Sequence, residues 1–300
     1  MDENTQQKRV LITGCSSGFG LYTAVEAAKA GYDVIATMRN LAKRGPLDVA
    51  LDQAGVHATI DRLDVTEPDS ITEITEKYKP IDILINNAGI LIAGSILTLT
   101  DAEMRQVFET NYFGAVDIIR KVAPQMIESG GGRIINIASL AGLIGHMFNA
   151  SHSASKHAMV GLSKSIRAEL KPFNIKVVSI EPGYHKTEII RANANVSENF
   201  YDPTSVMCDY NKGFLRLMLD EIVPRAGESS DVVKKIIEAM QTDNPKSHYV
   251  IGKDAWFVMM VRRLGLIGLL EKKAYRKLST ATRREKKRAD AKRNARKRKS

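Results

Sequence analysis

Short aliphatic runs alternate with stretches of helical periodicity from the N-terminus to about residue 252. Runs rich in Val, Ile and Leu predict buried strands, and apolar residues spaced three and four apart predict helices. The predicted strands are residues 9–13, 34–37, 58–63, 81–85, 133–137, 176–180 and 248–251. The predicted helices are residues 19–30, 101–126, 153–170 and 230–240.

Strands that alternate with helices in this way predict a parallel sheet covered on both faces, the doubly wound α/β class with a Rossmann fold. We expect a single domain over residues 1–252, with a substrate lid at about 185–225, where apolar residues become sparse. An amphipathic segment follows at 253–278. A basic tail occupies 279–300, and we expect it to be disordered because charge runs cannot form a core.

The net charge of +10 is unevenly distributed along the 300 residues. Residues 272–300 contain 15 basic and two acidic residues, whereas residues 1–271 contain 29 basic and 32 acidic residues. The body is therefore slightly acidic, and the tail carries the whole basic excess. Only two cysteines are present and the N-terminus lacks a basic and apolar signal, so we expect a cytoplasmic protein.

A glycine-rich turn, TGCSSGFG at residues 13–20, joins the first predicted strand to the first predicted helix. Glycine lets the backbone approach a ligand closely, and the helix N-terminus offers unpaired N–H groups and a positive dipole end to a pyrophosphate. The spacing differs from Gly-x-Gly-x-x-Gly, but the strand–loop–helix context is that of a dinucleotide-binding turn. We interpret it as one.

The end of the second predicted strand indicates which dinucleotide binds there. Proteins that bind NAD usually place an acid at this point to hold the ribose hydroxyls. This chain has Thr37-Met38-Arg39 instead, and Asp33 lies too early in the strand to serve. A guanidinium pairs well with a 2′-phosphate. We therefore expect NADP(H) to be preferred, with NAD(H) also accepted and no metal required.

Several ordered motifs support a family resemblance over roughly residues 8–252. They are Thr13-Gly14-x3-Gly18-x-Gly20, Leu63-Asp64-Val65-Thr66, Asn86-Asn87-Ala88-Gly89, Asn111, Ser139, Ser153-Ala154-Ser155-Lys156 and Pro182-Gly183-x3-Thr187. Together they resemble the short-chain dehydrogenase/reductase family. The segments TGCSSG at 13–18 and LKPF at 170–173 are similar to hydroxysteroid and retinol dehydrogenase-like members.

The resemblance implies cofactor contacts from the glycine-rich loop, the strand ends and the Pro-Gly turn. These residues are Gly14, Ser16, Ser17, Gly18, Phe19, Gly20, Arg39, Asp64, Asn87, Ala88, Gly89, Lys156, Pro182, Gly183 and Thr187. By the same resemblance Asp64 touches the adenine, and Thr187 contacts the carboxamide side of the nicotinamide. Asn111 holds a water in the proton relay, Ser139 hydrogen-bonds the substrate oxygen, and Lys156 binds the nicotinamide ribose.

His152 departs from the family pattern, which has a catalytic tyrosine four residues before the lysine. Residues i and i+4 share a helical face, so Lys156 lies beside position 152. A lysine cation lowers the pKa of a phenol from about 10 toward the working pH. It lowers the pKa of an imidazole as well, which moves it further below the reference value of about 6.5. Neutral imidazole is a base for alcohol oxidation and a poor acid for carbonyl reduction. Three interpretations stay open: a weak or oxidation-biased enzyme, a non-catalytic cofactor-binding protein, and a variant of an active parent.

The loops that follow the strands are apolar, which predicts a lipophilic alcohol, ketone or aldehyde as substrate. The apolar residues of these loops are Leu91, Ile92, Leu140, Leu143, Ile144, Met147, Phe148 and Tyr184. The apolar runs at 255–261 and 264–270 are interrupted by Arg262-Arg263, and neither reaches the roughly 20 apolar residues that span a bilayer. We expect them to cover the cleft or a homo-oligomer interface, with an interfacial membrane helix as the alternative. The basic tail is expected to contact anionic lipid or nucleic acid weakly and without specificity.

Overall fold

The structure, a computed structural model, describes residues 7–186 and 195–297. Its strands are β1 (Arg9–Ile12), β2 (Asp33–Met38), β3 (Thr59–Arg62), β4 (Ile83–Asn86), β5 (Ile92–Ala93), β6 (Gly132–Ile137), β7 (Ile175–Pro182), β8 (Asn195–Val196) and β9 (His248–Ile251). Seven of those described strands form one parallel sheet in the order β3-β2-β1-β4-β6-β7-β9. The strand order reverses between β1 and β4, so the predicted doubly wound Rossmann fold is confirmed.

Helices cover both faces of this sheet. The described helices are α1 (Gly18–Lys29), α2 (Gly45–Ala54), α3 (Pro68–Lys77), α4 (Asp101–Phe108), α5 (Gly114–Glu128), α6 (Ala150–Leu170), α7 (Cys208–Leu217), α8 (Ser229–Gln241), α9 (Lys253–Arg263) and α10 (Ile267–Lys297). A π-helical turn, Glu109–Phe113, joins α4 to α5. The sequence predicts one continuous helix there, and the extra residue of the π turn re-aims the side chains around Asn111.

Alternating side chains of the strands supply two cores, one on each side of the sheet. Val10 and Ile12 of β1 face the core shared with α1, α2 and α8, whereas Leu11 faces the core shared with α3 and α5. All three side chains are fully buried. Strands buried on both faces explain why the aliphatic runs in the sequence are continuous rather than alternating.

The C-terminal segment differs from the prediction. A disordered tail is predicted for residues 279–300, but α10 continues through Lys297. Leu278, Ala281 and Thr282 are buried at helical spacing, and Leu278 joins Phe214 of α7 in a small apolar cluster. Because i, i+3 and i+4 positions share a face, these few residues hold the basic helix against α7. The structure thus describes residues 279–297 as helix where the sequence predicts disorder.

The segment predicted to be a lid lies beside this cluster where the structure describes it. β8 pairs with β5 through Ala93 and Val196, and α7 follows. The Phe148 ring stacks on Phe214 at a centroid distance of 4.8 Å, which ties the loop before α6 to α7. Residues 187–194 of the predicted lid lie outside the described residues.

Candidate active site

A cleft of about 320 Å³ opens at the carboxyl ends of β1, β2, β3 and β4, next to the reversal of strand order. This is where open α/β sheets bind ligands. Ten of the predicted cofactor residues line it: Gly14, Ser16, Ser17, Gly18, Phe19, Arg39, Asp64, Asn87, Ala88 and Gly89. The cleft therefore collects the glycine-rich loop and the ends of three strands in one place.

The loop is held to β4 by the Asn87 side chain. Its Nδ2 donates to the carbonyl oxygens of Thr13 and Gly14, at 2.8 and 3.0 Å, and the Thr13 hydroxyl accepts from the Asn87 and Ala88 N–H groups. Gly14 has φ +74°, and a Cβ there would lie 2.8 Å from the Ala88 Cα. Gly20 does not line the cleft, but its missing side chain leaves room for the Asn87 amide. The turn requires glycine at both positions.

Two cationic side chains line the end of the cleft that lies next to the carboxyl end of β2. Arg39 lies there with Nε 3.9 Å from the Asp64 Oδ2, and most of its side chain is exposed. Lys43, on the short 3₁₀ turn after β2, lines the same end. Asp64 is the acidic side chain among the described lining residues, and its Oδ1 accepts from the Thr66 N–H and hydroxyl. Sequence reasoning missed Lys43, because its position depends on the geometry of the 3₁₀ turn.

A second cavity of about 130 Å³ adjoins the cleft, with Phe19, Asn87 and Gly89 lining both. Five of the residues predicted for the reaction and the nicotinamide line it: Ser139, His152, Lys156, Pro182 and Gly183. Thr187 lies outside the described residues. A Cβ added at Gly89 would lie 3.6 Å from the Lys156 Nζ, so the Gly89 backbone lies next to the lysine.

His152 and Lys156 lie one turn apart on α6, as the spacing predicts. The His152 Nδ1 lies 3.3 Å from the Ile90 carbonyl oxygen, which can only accept a hydrogen bond. In the neutral ring this contact places the proton on Nδ1 and leaves the lone pair on Nε2. His152, which lines the cavity, thus keeps Nε2 free as a proton acceptor.

Burial and charge set the protonation states of this pair. Burial, with the Lys156 cation adding to it, lowers the pKa of His152 to about 3, although the Ile90 carbonyl opposes the shift. Burial also lowers the pKa of Lys156 to about 8. The Lys156 Nζ donates to the Ile137 carbonyl oxygen at 2.8 Å, which fixes the ammonium at the end of β6. At neutral pH the site therefore combines a neutral imidazole with a lysine cation.

Ser139 follows β6 and begins the short 3₁₀ helix Leu140–Gly142. Its Oγ accepts from the Ala141 N–H at 3.0 Å, so the side chain caps that helix as well as lining the cavity. A hydroxyl that accepts one hydrogen bond keeps its own proton to donate. Ser139 is thereby positioned to donate to a bound oxygen.

Asn111 lies behind His152 rather than in the cavity. Its Oδ1 accepts from the Ile90 N–H at 2.7 Å, and its Nδ2 donates to the Ile90 carbonyl oxygen at 3.0 Å and to the Ser155 Oγ at 3.1 Å. Asn111 therefore fixes the carbonyl that orients His152. Its implied role in holding a water stays a prediction.

The apolar residues predicted for the substrate pocket divide into two groups. Leu91, Leu140 and Tyr184 line the cavity. Leu143 and Ile144 do not line it, Ile92 packs with Leu99 and Val107, and Met147 and Phe148 belong to the cluster with Phe214. These five therefore do not line the cavity: Ile92 lies in β5, and the other four lie in the segment between the 3₁₀ turn and α6.

Two polar residues that sequence reasoning missed, His146 and Asn149, also line the cavity. The His146 Nδ1 lies 3.0 Å from the Tyr184 hydroxyl, and burial lowers the pKa of His146 to about 4. Within the described chain, the His146 Nε2 and the Asn149 Oδ1 are buried without a hydrogen-bond partner. Buried polar atoms of this kind need a partner, which a bound molecule would supply.

Comparisons with known proteins agree with this geometry. A family model described as short chain dehydrogenase matches residues 8–197. The chain is 34% identical over 268 residues to an uncharacterized oxidoreductase, YusZ, of Bacillus subtilis strain 168, covering 86% of this chain and 94% of that protein. It is 35% identical over 249 residues to retinol dehydrogenase 8 of Bos taurus, covering 79% of each.

Solved structures show the same fold. A short-chain dehydrogenase from Streptomyces avermitilis superposes with a TM-score of 0.76 at 29% identity, covering 91% of this chain and 98% of that one. A short-chain dehydrogenase from Sphingobium yanoikuyae in complex with NADPH superposes with a TM-score of 0.67 at 25% identity, covering 87% of this chain and 95% of that one.

Proposed function

The chain belongs to the short-chain dehydrogenase family and is an NAD(P)-dependent oxidoreductase, and we propose that it prefers NADP(H) and interconverts a lipophilic alcohol and its ketone or aldehyde. One observation carries the proposal. The cleft lined by the glycine-rich loop and the cavity holding Ser139, His152 and Lys156 share a wall formed by Phe19, Asn87 and Gly89. A molecule extended along the cleft would present its far end to these three polar groups.

Arg39 and Lys43 support the preference for NADP(H). Two cations line the cleft after β2, and the one carboxylate among the described lining residues, Asp64, is engaged by Thr66. A 2′-phosphate gains charge-assisted hydrogen bonds from such a pair, whereas ribose hydroxyls gain little from it. The residues present therefore fit the phosphorylated cofactor, with NAD(H) as the weaker ligand.

The chain's own residues would position the substrate and move its proton. The bound nicotinamide supplies or accepts the hydride. Ser139 would donate to the substrate oxygen, and Lys156 would place its cation beside it. In alcohol oxidation the hydroxyl proton passes to the free Nε2 of His152. Asn111 keeps the imidazole aligned through the Ile90 carbonyl.

The protonation state of His152 favours oxidation over reduction. With a pKa of about 3 the ring is neutral at physiological pH, and its one N–H is directed to the Ile90 oxygen. Reduction needs a proton donor at the new alkoxide, which this ring does not provide. The same low pKa makes it a weak base. We therefore propose a slow enzyme that is biased toward oxidation. Its turnover would be lower than that of a family member with tyrosine at this position.

The cavity walls indicate the chemistry of the substrate. Leu91, Leu140 and Ala141 offer apolar surface, which suits a lipophilic chain or ring. The unpaired His146 Nε2 and Asn149 Oδ1 would bind a second polar group on that skeleton. The relative named retinol dehydrogenase 8 supports a lipophilic alcohol without identifying which one.

A non-catalytic dinucleotide-binding protein is the second candidate, and the low pKa of His152 is the observation that favours it. The cofactor cleft would then be retained without turnover. Homo-oligomer formation, peripheral contact with a membrane and weak binding of the basic helix to nucleic acid also stay proposals.

Titration calorimetry with NADPH and NADH tests the cofactor assignment. NADPH should bind more tightly, by about tenfold or more, since charge-assisted contacts contribute about 1.5–3 kcal/mol. Arg39→Asp should narrow or reverse the preference, because a carboxylate repels the phosphate and accepts from ribose hydroxyls. Arg120→Asp, on the exposed face of α5, is the matched control and should leave both affinities unchanged. Equal affinities in the unmodified protein would contradict the assignment of Arg39.

A further inference from the structure

The segment from Lys253 to Lys277 contains many large apolar residues, but almost none of them is buried. Ala255 is its one buried residue, although Leu, Ile, Val and Met recur throughout. Six large hydrophobic side chains are 45% to 65% exposed, and we name them the C-terminal apolar face: Trp256, Phe257, Leu264, Leu266, Leu269 and Tyr275. This exposure differs from the expectation that the segment covers the cleft, and the expected homo-oligomer interface stays a prediction. Single exposed apolar residues are ordinary, but a concentration of them in one segment marks an interaction surface.

Cations interleave with this face. Arg262, Arg263, Lys272, Lys273 and Arg276 are all exposed, and Asp254 and Glu271 are the acids between Lys253 and Arg276. Aromatic and aliphatic side chains flanked by Lys and Arg favour the boundary between lipid headgroups and acyl chains. Anionic headgroups attract each nearby cation by about 1 kcal/mol. No helix within residues 7–186 and 195–297 has the length and apolarity to cross a bilayer, so the segment would lie in the interface.

The charge argues against a second copy of this chain as the occupant. A twofold interface places the same patch of each copy face to face. Such an interface would bring the cations of α9 and α10 of the two copies close together, with few carboxylates to neutralise them. Nucleic acid would satisfy the cations but not Leu264, Leu266 and Leu269. A bilayer surface rich in anionic lipid satisfies both.

We propose that the C-terminal apolar face docks the protein onto anionic lipid bilayers. The face begins beside the active site, because the Asp254 carboxylate on α9 accepts from the Tyr184 N–H at 2.8 Å and Tyr184 lines the reactive cavity. Docking therefore brings the cavity close to the membrane. Delivery of a lipophilic substrate from the bilayer rests on the proposed function, whereas docking itself does not.

The chain has a single tryptophan, Trp256, so its fluorescence reports on this face alone. The full chain is titrated, without cofactor or substrate, with vesicles of phosphatidylcholine and with vesicles that also contain phosphatidylglycerol. We expect a blue shift of the emission with the anionic vesicles, its reversal by salt, and quenching by brominated acyl chains. Little change is expected with phosphatidylcholine alone.

Variants keep Trp256 as the reporter. Leu264→Ser, Leu266→Ser and Leu269→Ser combined should weaken vesicle binding at least about tenfold, and so should Lys272→Glu with Lys273→Glu. Leu97→Ser, at a residue that is 69% exposed elsewhere, is the matched control and should bind normally. The proposal is overturned if the emission does not shift with anionic vesicles. It is also overturned if protein concentration alone causes the shift, or if duplex DNA causes an equal shift. None of these outcomes bears on turnover, which is measured separately.

Discussion

Replacing His152 with tyrosine tests how much the histidine slows carbonyl reduction. The pKa of His152, about 3, lies about four units below neutral pH, so about one molecule in 10⁴ carries the proton that reduction requires. A phenol beside the Lys156 cation is protonated at pH 7 and has its pKa drawn toward the working range. A placed general acid contributes about 10²–10⁴ in rate. His152→Tyr should therefore raise carbonyl reduction by about 100-fold or more.

The assay is NADPH consumption with hydrophobic ketones and aldehydes at matched cofactor saturation. His152→Phe is the control, because it supplies an aromatic ring without a titratable group and should reduce no faster than the unmodified protein. NADPH affinity should change little, since the glycine-rich loop and Lys156 are untouched. If the tyrosine variant is no faster than its parent on any substrate, His152 is not the cause of the impairment.

Two further predictions concern stability. Burial lowers the pKa of His146 to about 4 and that of His152 to about 3. Below about pH 6.5 the unfolded chain therefore binds more protons than the folded protein. The free energy of unfolding is highest above that pH and decreases as the pH falls. Urea unfolding at pH 5 should give a free energy lower than at pH 7 by on the order of 2 kcal/mol per histidine, and His152→Tyr should remove one such contribution; an identical pH dependence in the variant would refute this. Deleting residues 283–300 should change the free energy of unfolding by less than about 1 kcal/mol, because exposed ion pairs contribute little. Leu278→Ala should lower it by about 2–4 kcal/mol, because that side chain packs against Phe214; the opposite ranking in urea unfolding would show that the basic end of α10 is the packed part.

The fold was predictable because each buried strand is a short aliphatic run and each helix keeps its periodicity. His248–Ile251 is a strand with the predicted limits, and α6 carries His152 and Lys156 on one face. The helix of residues 279–297 was not predictable from charge, since Leu278, Ala281 and Thr282 give a weak apolar signal within a basic run.

The site was predictable where a motif fixes the backbone and was missed where an irregular turn places the side chain. The glycine-rich loop and Arg39 line the cleft as expected. Lys43 and His146 depend on short turns whose direction no periodicity encodes. The contact of His152 with the Ile90 carbonyl likewise depends on the π turn that carries Asn111.

The most direct test of the central claim is NADP⁺ reduction with a panel of hydrophobic alcohols at pH 7, comparing the unmodified protein with His152→Ala at saturating cofactor. We predict measurable oxidation of at least one alcohol by the unmodified protein and a rate about 100-fold lower in the variant, because the Nε2 base is removed. NADPH binding without oxidation of any alcohol, or equal rates for the two proteins, would contradict the claim that His152 serves as the base of a working oxidoreductase.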